Sequence, residues 1–311
     1  MYAFVIIHFG SNPKYLELEL YFLEMLKQNT KNDIIYLYSI TDTPIEFVKL
    51  IESISVKTYG YNDNNITYNI QDFKSNYTQF NTLRTCNFLF ANLLKDYKKV
   101  CIVESDMVLT QNIDSVFELQ CPAILYYHKN ILKQNENYLI NLNKEQLFKD
   151  NCNSSKSGFN GGVLLFKPSI IMYKKLISNI KKIIQNNCLY PNEILFSYSY
   201  EKIYNLPIKY NFSHYFLKRT LKNKSFTHKH VDNIYIYHFD NTPYKPVQII
   251  KDKFINKIKD NKKKKIVEYF KKYYFDKYSN KINNLLKLLE NENKNKNENK
   301  NKNENKNKII V

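Results

Sequence analysis

The chain opens on a short unbroken apolar run, AFVIIHF at residues 3–9, the pattern of a strand buried on both faces. Pro13 then starts a helical segment in which Leu16, Leu20, Leu23 and Leu26 recur at spacings of four, three and three on one face. DIIYLYSI (33–40) predicts a second strand and TPIEFVKLIESI a second helix, with Thr43 as its cap. A longer helix is predicted over about residues 77–96, and after it KKVCIVESDMVL (98–109), a buried strand that ends in charge. Strand, helix, strand, helix, strand in this order predicts an α/β fold with a mostly parallel sheet and helices on its faces. Ligands of such sheets bind beyond the carboxyl ends of the strands, so polar residues there are the first candidates for function.

Residues 128–157 are polar, rich in Asn and Lys and without a clear period, and read as a surface insertion. Order returns at FNGGVLLFKPS (159–169), followed by a helix to about 187 and another around 192–201. A last strand, NIYIYHF (233–239), precedes NTPYKP. Residues 251–290 read as a basic helical extension, and 291–311 as a disordered Asn/Lys/Glu tail that cannot form a core.

Of the 311 residues, 43% are hydrophobic and 15% aromatic, which fits a globular chain. The net charge of +18 invites a nucleic-acid partner, but it is unevenly spread. Residues 251–311 hold 19 Lys against 8 acidic residues, a net of +11, leaving +7 for residues 1–250. Only Arg84 and Arg219 among 47 basic residues are Arg, and specific base or phosphate readout leans on Arg forks. A dedicated nucleic-acid binder is therefore not expected. Five cysteines, widely spaced and never in a CxxC pair, argue against a disulfide framework and suit a reducing compartment. No run reaches the 18 apolar residues of a membrane span, and MYAFVIIHFG lacks a basic leader and a cleavage site. The expected setting is cytoplasmic, or the host cytoplasm or virion for a viral chain. The excess of Asn and Lys over Gly, Arg and Trp fits an AT-rich genome.

Chemistry concentrates in VCIVESDMVL. Glu104 and Asp106 stand one residue apart after an apolar strand, and two acids so close repel unless a cation or proton neutralises them. Hard oxygen ligands there suit Mg²⁺ or Mn²⁺ bridging to phosphate, although an isolated acid-x-acid triplet is more often an acidic loop end facing solvent. Three of the chain's five glycines fall within SGFNGGV (Gly158, Gly161, Gly162), where backbone must turn sharply or approach something closely. Asn160 between them offers an amide to hydroxyl groups. His238 ends an apolar strand, and a lone His there is more often a satisfied core imidazole unless a metal partner lies across the sheet. Lys245 offers a point charge to a phosphate.

Taken in order, Ser11-Asn12 with Tyr15, ESDMVLTQNIDSVFEL, FNGGVLLFKPS, LPIKYNFS and YHF…YKP resemble glycosyltransferase family 8, the glycogenin-like and bacterial galactosyltransferase-like enzymes of the GT-A fold. The likeness runs from about residue 3 to 247 and leaves out the tail. It implies a GT-A domain over 1–250, a Mn²⁺ (or Mg²⁺) ion held by Glu104, Asp106 and His238, and a UDP-sugar donor. It further implies that Asn160 and Gly161 contact the donor sugar and Lys245 the diphosphate. Asn12 and Tyr15 fall near the uracil, Ser105 lies between the acids at the donor, and Arg84 lies on a helix that supplies a basic residue to it. The chain departs from the family pattern in four places. Glu stands for Asp at 104, Gly for Ser at 161, HFDNTPYKP is one residue longer than the family's turn and lacks its Gly, and the family's D-Q-x-I-L reads YPNEIL.

The resulting expectation is a metal-dependent retaining hexosyltransferase. It would move sugar from a UDP-sugar to a hydroxyl acceptor on a glycan, protein or lipid, with Asn192 or Glu193 steadying positive charge at the sugar. The replaced D-Q pair motivates an alternative, a protein of the same fold that binds a nucleotide-sugar or glycan without turning it over. A third reading makes the basic tail an anion-surface binder; such charge runs are more often solvated ends.

Overall fold

Alternation along β1 (Tyr2–His8) decides which layer each of its residues joins. Phe4 and Ile6 enter one core, Ala3 and Val5 the other. The computed structural model describes residues 1–64, 84–127, 135–141, 143–144, 158–185, 191–213, 232–240, 246–249, 255, 258 and 261–307. After β1 come α1 (Pro13–Asn29), β2 (Asp33–Ser39), α2 (Ile45–Ser53), β3 (Lys57–Tyr61), β4 (Lys99–Val103), β5 (Met107–Leu109), β6 (Ala123–Tyr126), β7 (Leu139–Ile140) and β8 (Phe159–Phe166). They are followed by α3 (Ile170–Gln185), α4 (Pro191–Ser199), β9 (Ile203–Asn205), β10 (Phe212–Ser213), β11 (Ile236–His238), α5 (Pro246–Ile249), α6 (Asn261–Phe270) and α7 (Asp276–Asn307).

The main sheet has the order β3-β2-β1-β4-β8-β6-β9-β7. Six of these strands run the same way and only β7 and β8 oppose them, so the α/β expectation holds. Because β8 is antiparallel to β4, its amino end, with Phe159 and Asn160, lies at the carboxyl edge of the parallel strands. A smaller sheet, β10-β11-β5, sits beside it.

Four elements differ from the sequence reading. The apolar segment 98–109 is two strands, because the chain leaves the main sheet at Glu104 and re-pairs as β5 with β11. The cap residue of α2 is Pro44, with no side-chain cap bond; Thr43 instead donates its backbone N–H to Ser39 O. In the segment expected as one long helix, Arg84–Leu93 is a 3-10 helix and residues 65–83 lie outside the described residues. Its three-residue repeat aligns Arg84, Asn87 and Phe90, which meet Asp63, the Tyr61 hydroxyl and the Tyr61 ring. Finally, α7 continues as helix through residues 291–307, where no structure was expected. No Gly or Pro interrupts it, and Lys and Glu propagate a helix once a packed segment has nucleated it.

The basic extension is packed rather than appended. Tyr21, Glu24 and Gln28 on the outer face of α1 meet Ser279, Lys281, Lys277 and Tyr278 of α7. This second contact explains why α1 buries far more than its leucine stripe.

Candidate active site

Beyond Val103 the chain turns outward through Glu104, Ser105 and Asp106 before Met107 starts β5. Two backbone bonds of 3.0 Å pin this turn: Glu104 N–H donates to Gly162 O, and Phe239 N–H to Asp106 O. The antiparallel register sets His238 opposite Met107, which delivers the imidazole to both carboxylates. His238 Nε2 lies 3.3 Å from Glu104 Oε2 and 3.2 Å from Asp106 Oδ1. One ligand atom from each of the three residues falls within 4.8 Å of the others. His238 is buried, Asp106 partly so, and Glu104 keeps 44% of its side chain exposed, which opens the cluster to solvent on one side. Burial opposes a charge on His238, but Asp106 and then Glu104 outweigh it and raise the imidazole to about 10.

This donor set fits a hard divalent cation: two carboxylates and one imidazole nitrogen. The fit is sharpened by Asn211, whose Oδ1 accepts from His238 Nδ1 at 2.9 Å and leaves Nε2 for the carboxylate side. Asn211 Nδ2 donates to Asn160 Oδ1 at 2.8 Å, and Asn160 Nδ2 donates to Asp240 Oδ2 (2.8 Å) and the Tyr127 hydroxyl (2.9 Å). Ser213 Oγ donates to the other oxygen of Asp240. This buried relay of amides and acids settles which way each Asn points.

The paired glycines are there for close approach, not for a tight turn. A Cβ on Gly162 would collide with His238 Cε1 and come within 2.7 Å of Met107 Cε. One on Gly161 would come within 2.7 Å of Asn192 Nδ2 and 3.3 Å of Glu193. Gly161 N–H donates to Glu193 Oε1 at 3.3 Å, while Glu193 Oε2 is buried and has no hydrogen-bond partner among the described residues. Burial, reinforced by the charge on Glu104 and opposed by backbone hydrogen bonds, raises Glu193 to about 7.

Glu104, Asp106, His238, Asn160, Gly161, Asn192 and Glu193 thus converge. Asn12, Tyr15 and Arg84 belong to a second cluster, around the turn after β1. Asn12 caps α1, accepting from Lys14 N at 3.1 Å, and Tyr15 is 59% exposed. Arg84 is buried in a two-pronged pair with Asp42 and a further bond to Asp63, its guanidinium 4.6 Å from the Phe9 ring centroid. Asp42 also accepts from Gly10 N–H at 2.9 Å, and His8 Nε2 donates to Gly10 O at 2.9 Å. With φ at +88°, Gly10 is held at both its backbone polar groups. Lys245 lies outside the described residues. Sequence reasoning passed over Asn211, Asp240 and Tyr127; the LPIKYN segment and the acid after HF were the visible signals for the first two.

Solved structures with this architecture are glycosyltransferases of the GT-A class. The complex of galactosyltransferase LgtC with donor and acceptor sugar analogs aligns with a TM-score of 0.52 at 13% identity, covering 78% of this chain and 88% of that one. An active-site variant of LgtC gives 0.53 at 11% identity over 86% and 95%. The fold is therefore GT-A. The profile of glycosyl transferase family 8 matches residues 6–247, and the chain belongs to that family. An uncharacterized protein of Acanthamoeba polyphaga mimivirus is 28% identical over 254 residues, 79% of this chain and 82% of that protein. Membership makes glycosyl transfer the class of activity. Among the described residues, no helix is long and apolar enough to cross a membrane.

Proposed function

We propose that the protein moves a hexose from a UDP-sugar to a hydroxyl acceptor with retention at the sugar carbon, using Mn²⁺ or Mg²⁺ held by Glu104, Asp106 and His238. The observation that carries this reading is the convergence of two carboxylates and one pre-aimed imidazole at the carboxyl edge of the sheet. When bound, the cation supplies a Lewis acid that offsets charge on the departing diphosphate. Asn211 fixes the His238 ring, and Ser105 lies in the turn between the two acids. Asn160 and Gly161 would meet the donor sugar. Asn192 and Glu193, packed against Gly161, would steady positive charge as it develops there, which in turn favours the ionised form of Glu193. Asn12 and Tyr15 would flank the uracil, Arg84 would hold their turn through Asp42, and Lys245 would meet the diphosphate. The acceptor hydroxyl attacks from the face that the diphosphate leaves. The reading includes a cytoplasmic setting, in keeping with free Cys86, Cys101 and Cys121.

The test is calorimetric UDP binding with and without Mn²⁺, beside Asp106→Asn, followed by turnover of UDP-sugars and the anomeric form of the product by NMR. Metal-dependent binding that collapses in Asp106→Asn, with a retained anomer, supports the reading. Metal-dependent UDP binding without transfer or hydrolysis would replace it with a nucleotide-sugar-binding protein of the same fold.

A further inference from the structure

Strand alternation gives β11 two faces. His238 looks into the acid turn, packed against Gly162 and Met107. Its neighbours Tyr237 and Phe239 both meet Phe270 on the other side, with centroids 4.3 Å and 5.3 Å away, and Tyr237 also lies 6.2 Å from the Phe212 ring of β10. Tyr237, Phe239 and Phe270 are all buried. Phe270 ends α6, where the helix widens into one π-helical turn, Lys271–Phe275, before α7 begins. Single π turns of this kind recur at functional sites because they re-aim the side chains beside them.

The segment that carries Phe270 is held in place independently of β11. Phe275 packs edge-on against Tyr21 at 5.7 Å, the Tyr21 hydroxyl donates to Ser279 Oγ at 3.2 Å, and Lys281 pairs with Glu24 at 2.7 Å. The sheet that presents His238 is slight by comparison: β10, β11 and β5 contribute two, three and three residues. Strands this short are not stable on ladder bonds alone and need packing on a face. Phe270 supplies that packing directly behind the strand, and it lies beyond residue 247, where the family match ends.

We propose that Phe270 is a positioning residue for the metal centre, backing the strand that presents His238, so that residues 261–290 work as part of the catalytic apparatus. This rests on the metal-centre reading above. Phe270 touches neither donor nor cation; it acts through Tyr237 and Phe239.

The experiment is a Mn²⁺ titration of the full chain by calorimetry, at a temperature where circular dichroism shows every variant folded. Phe270→Ala is expected to weaken Mn²⁺ binding about tenfold, the lower end of what outer support of a metal ligand is worth. Phe270→Leu, which keeps much of the apolar volume, should recover affinity to within about threefold of wild type. Phe117→Ala is the control. That ring is equally large and buried, but packs on Tyr2 and Phe4 at the amino ends of β1 and β4. It should lower the melting temperature and leave Mn²⁺ affinity unchanged. Wild-type affinity in Phe270→Ala, or an equal drop in Phe117→Ala, would overturn the proposal while binding that is lost in Asp106→Asn left the metal centre standing. A wild-type chain that binds no Mn²⁺ overturns both. Should Phe270→Ala not fold, Phe270→Val against Phe117→Val decides: a loss of Mn²⁺ affinity in the first that is absent from the second is expected, and equal affinities in that pair overturn the proposal.

Discussion

Asn211 Oδ1 sits 2.9 Å from His238 Nδ1, and that bond decides which nitrogen of the imidazole faces Glu104 and Asp106. Asn211 is fully buried and spends its Nδ2 on Asn160, so the amide cannot turn without breaking two bonds. Asn211→Leu removes the acceptor and frees the ring. The expected result is a loss of Mn²⁺ affinity of about 10–100-fold. Stability should fall by about 1–3 kcal/mol for each buried polar group left unpaired. Asn211→Asp restores an acceptor for Nδ1 and should bind Mn²⁺ more tightly than Asn211→Leu. Calorimetry beside thermal melts measures both effects; wild-type Mn²⁺ affinity in Asn211→Leu would remove the orienting role.

Gly161 and Gly162 are adjacent, yet substituting them should separate two halves of the site. An added methyl at Gly162 must displace His238 or Met107, and both sit on short strands with little room to give. Gly162→Ala should therefore lose metal-dependent UDP binding. At Gly161 the methyl meets the ends of Asn192 and Glu193, which can shift on the first turn of α4. Gly161→Ala should keep UDP and Mn²⁺ binding and lose transfer, about tenfold or more in kcat, because a misplacement near 1 Å at a reacting centre costs up to about 100-fold. Equal behaviour of the two variants in UDP titrations would contradict this division.

The first half of the fold was legible because its strands are buried on both faces and read as unbroken apolar runs, as in β1 and β2. β3 was not, since KTYGY at the sheet edge is largely exposed and carries no such run. The break between β4 and β5 was hidden for a related reason: from Val100 on both halves are buried, and apolarity alone does not tell one sheet from two. At the site, Glu104, Asp106 and His238 could be matched to a family pattern in order, whereas Asn211 is one more Asn in an Asn-rich chain. Only the fold brings it to the imidazole. In the basic extension the helices could be read from the sequence but not what they pack on: its lysines advertise solvent while Phe270, Phe275 and Ile282 between them are fully buried.

Glu193 gives the metal-free protein a pH dependence of known sign. Burial, with help from Glu104, holds its folded pKa at about 7, above the unfolded value near 4.5. The folded state thus keeps this proton more tightly than the unfolded chain, and stability from this group is full below about pH 4.5 and lost as pH rises to about 7. Glu193→Gln cannot lose a proton. It should match wild type near pH 4 and melt at a higher temperature than wild type at pH 8, the gap opening between those values. A gap that is constant with pH would show that Glu193 titrates in the fold as it does in the unfolded chain.

His8 carries the last prediction, because it joins a buried ion pair to the turn at Gly10. Its Nδ1 lies 2.9 Å from Glu19 Oε1 and its Nε2 2.9 Å from Gly10 O, while Glu19 Oε2 accepts from the Tyr36 hydroxyl at 2.7 Å. A carbonyl only accepts, so Nε2 bears a hydrogen, and the carboxylate asks the same of Nδ1. Burial works against that charge, but Glu19 outweighs it and raises the His8 pKa. The stabilisation is therefore complete below pH 6.5 and is lost as pH rises through the higher folded value. Glu19→Leu strands the imidazole and should cost about 3–5 kcal/mol in urea unfolding at pH 6, whereas His8→Phe with Glu19→Leu should recover most of it. UDP affinity should fall in that double variant, since Gly10 O has lost its donor and the turn beside Asn12 is held only through Gly10 N–H and Asp42. A double variant no more stable than Glu19→Leu would mean the two residues are not coupled. One that binds UDP like wild type would detach the pair from the nucleotide turn.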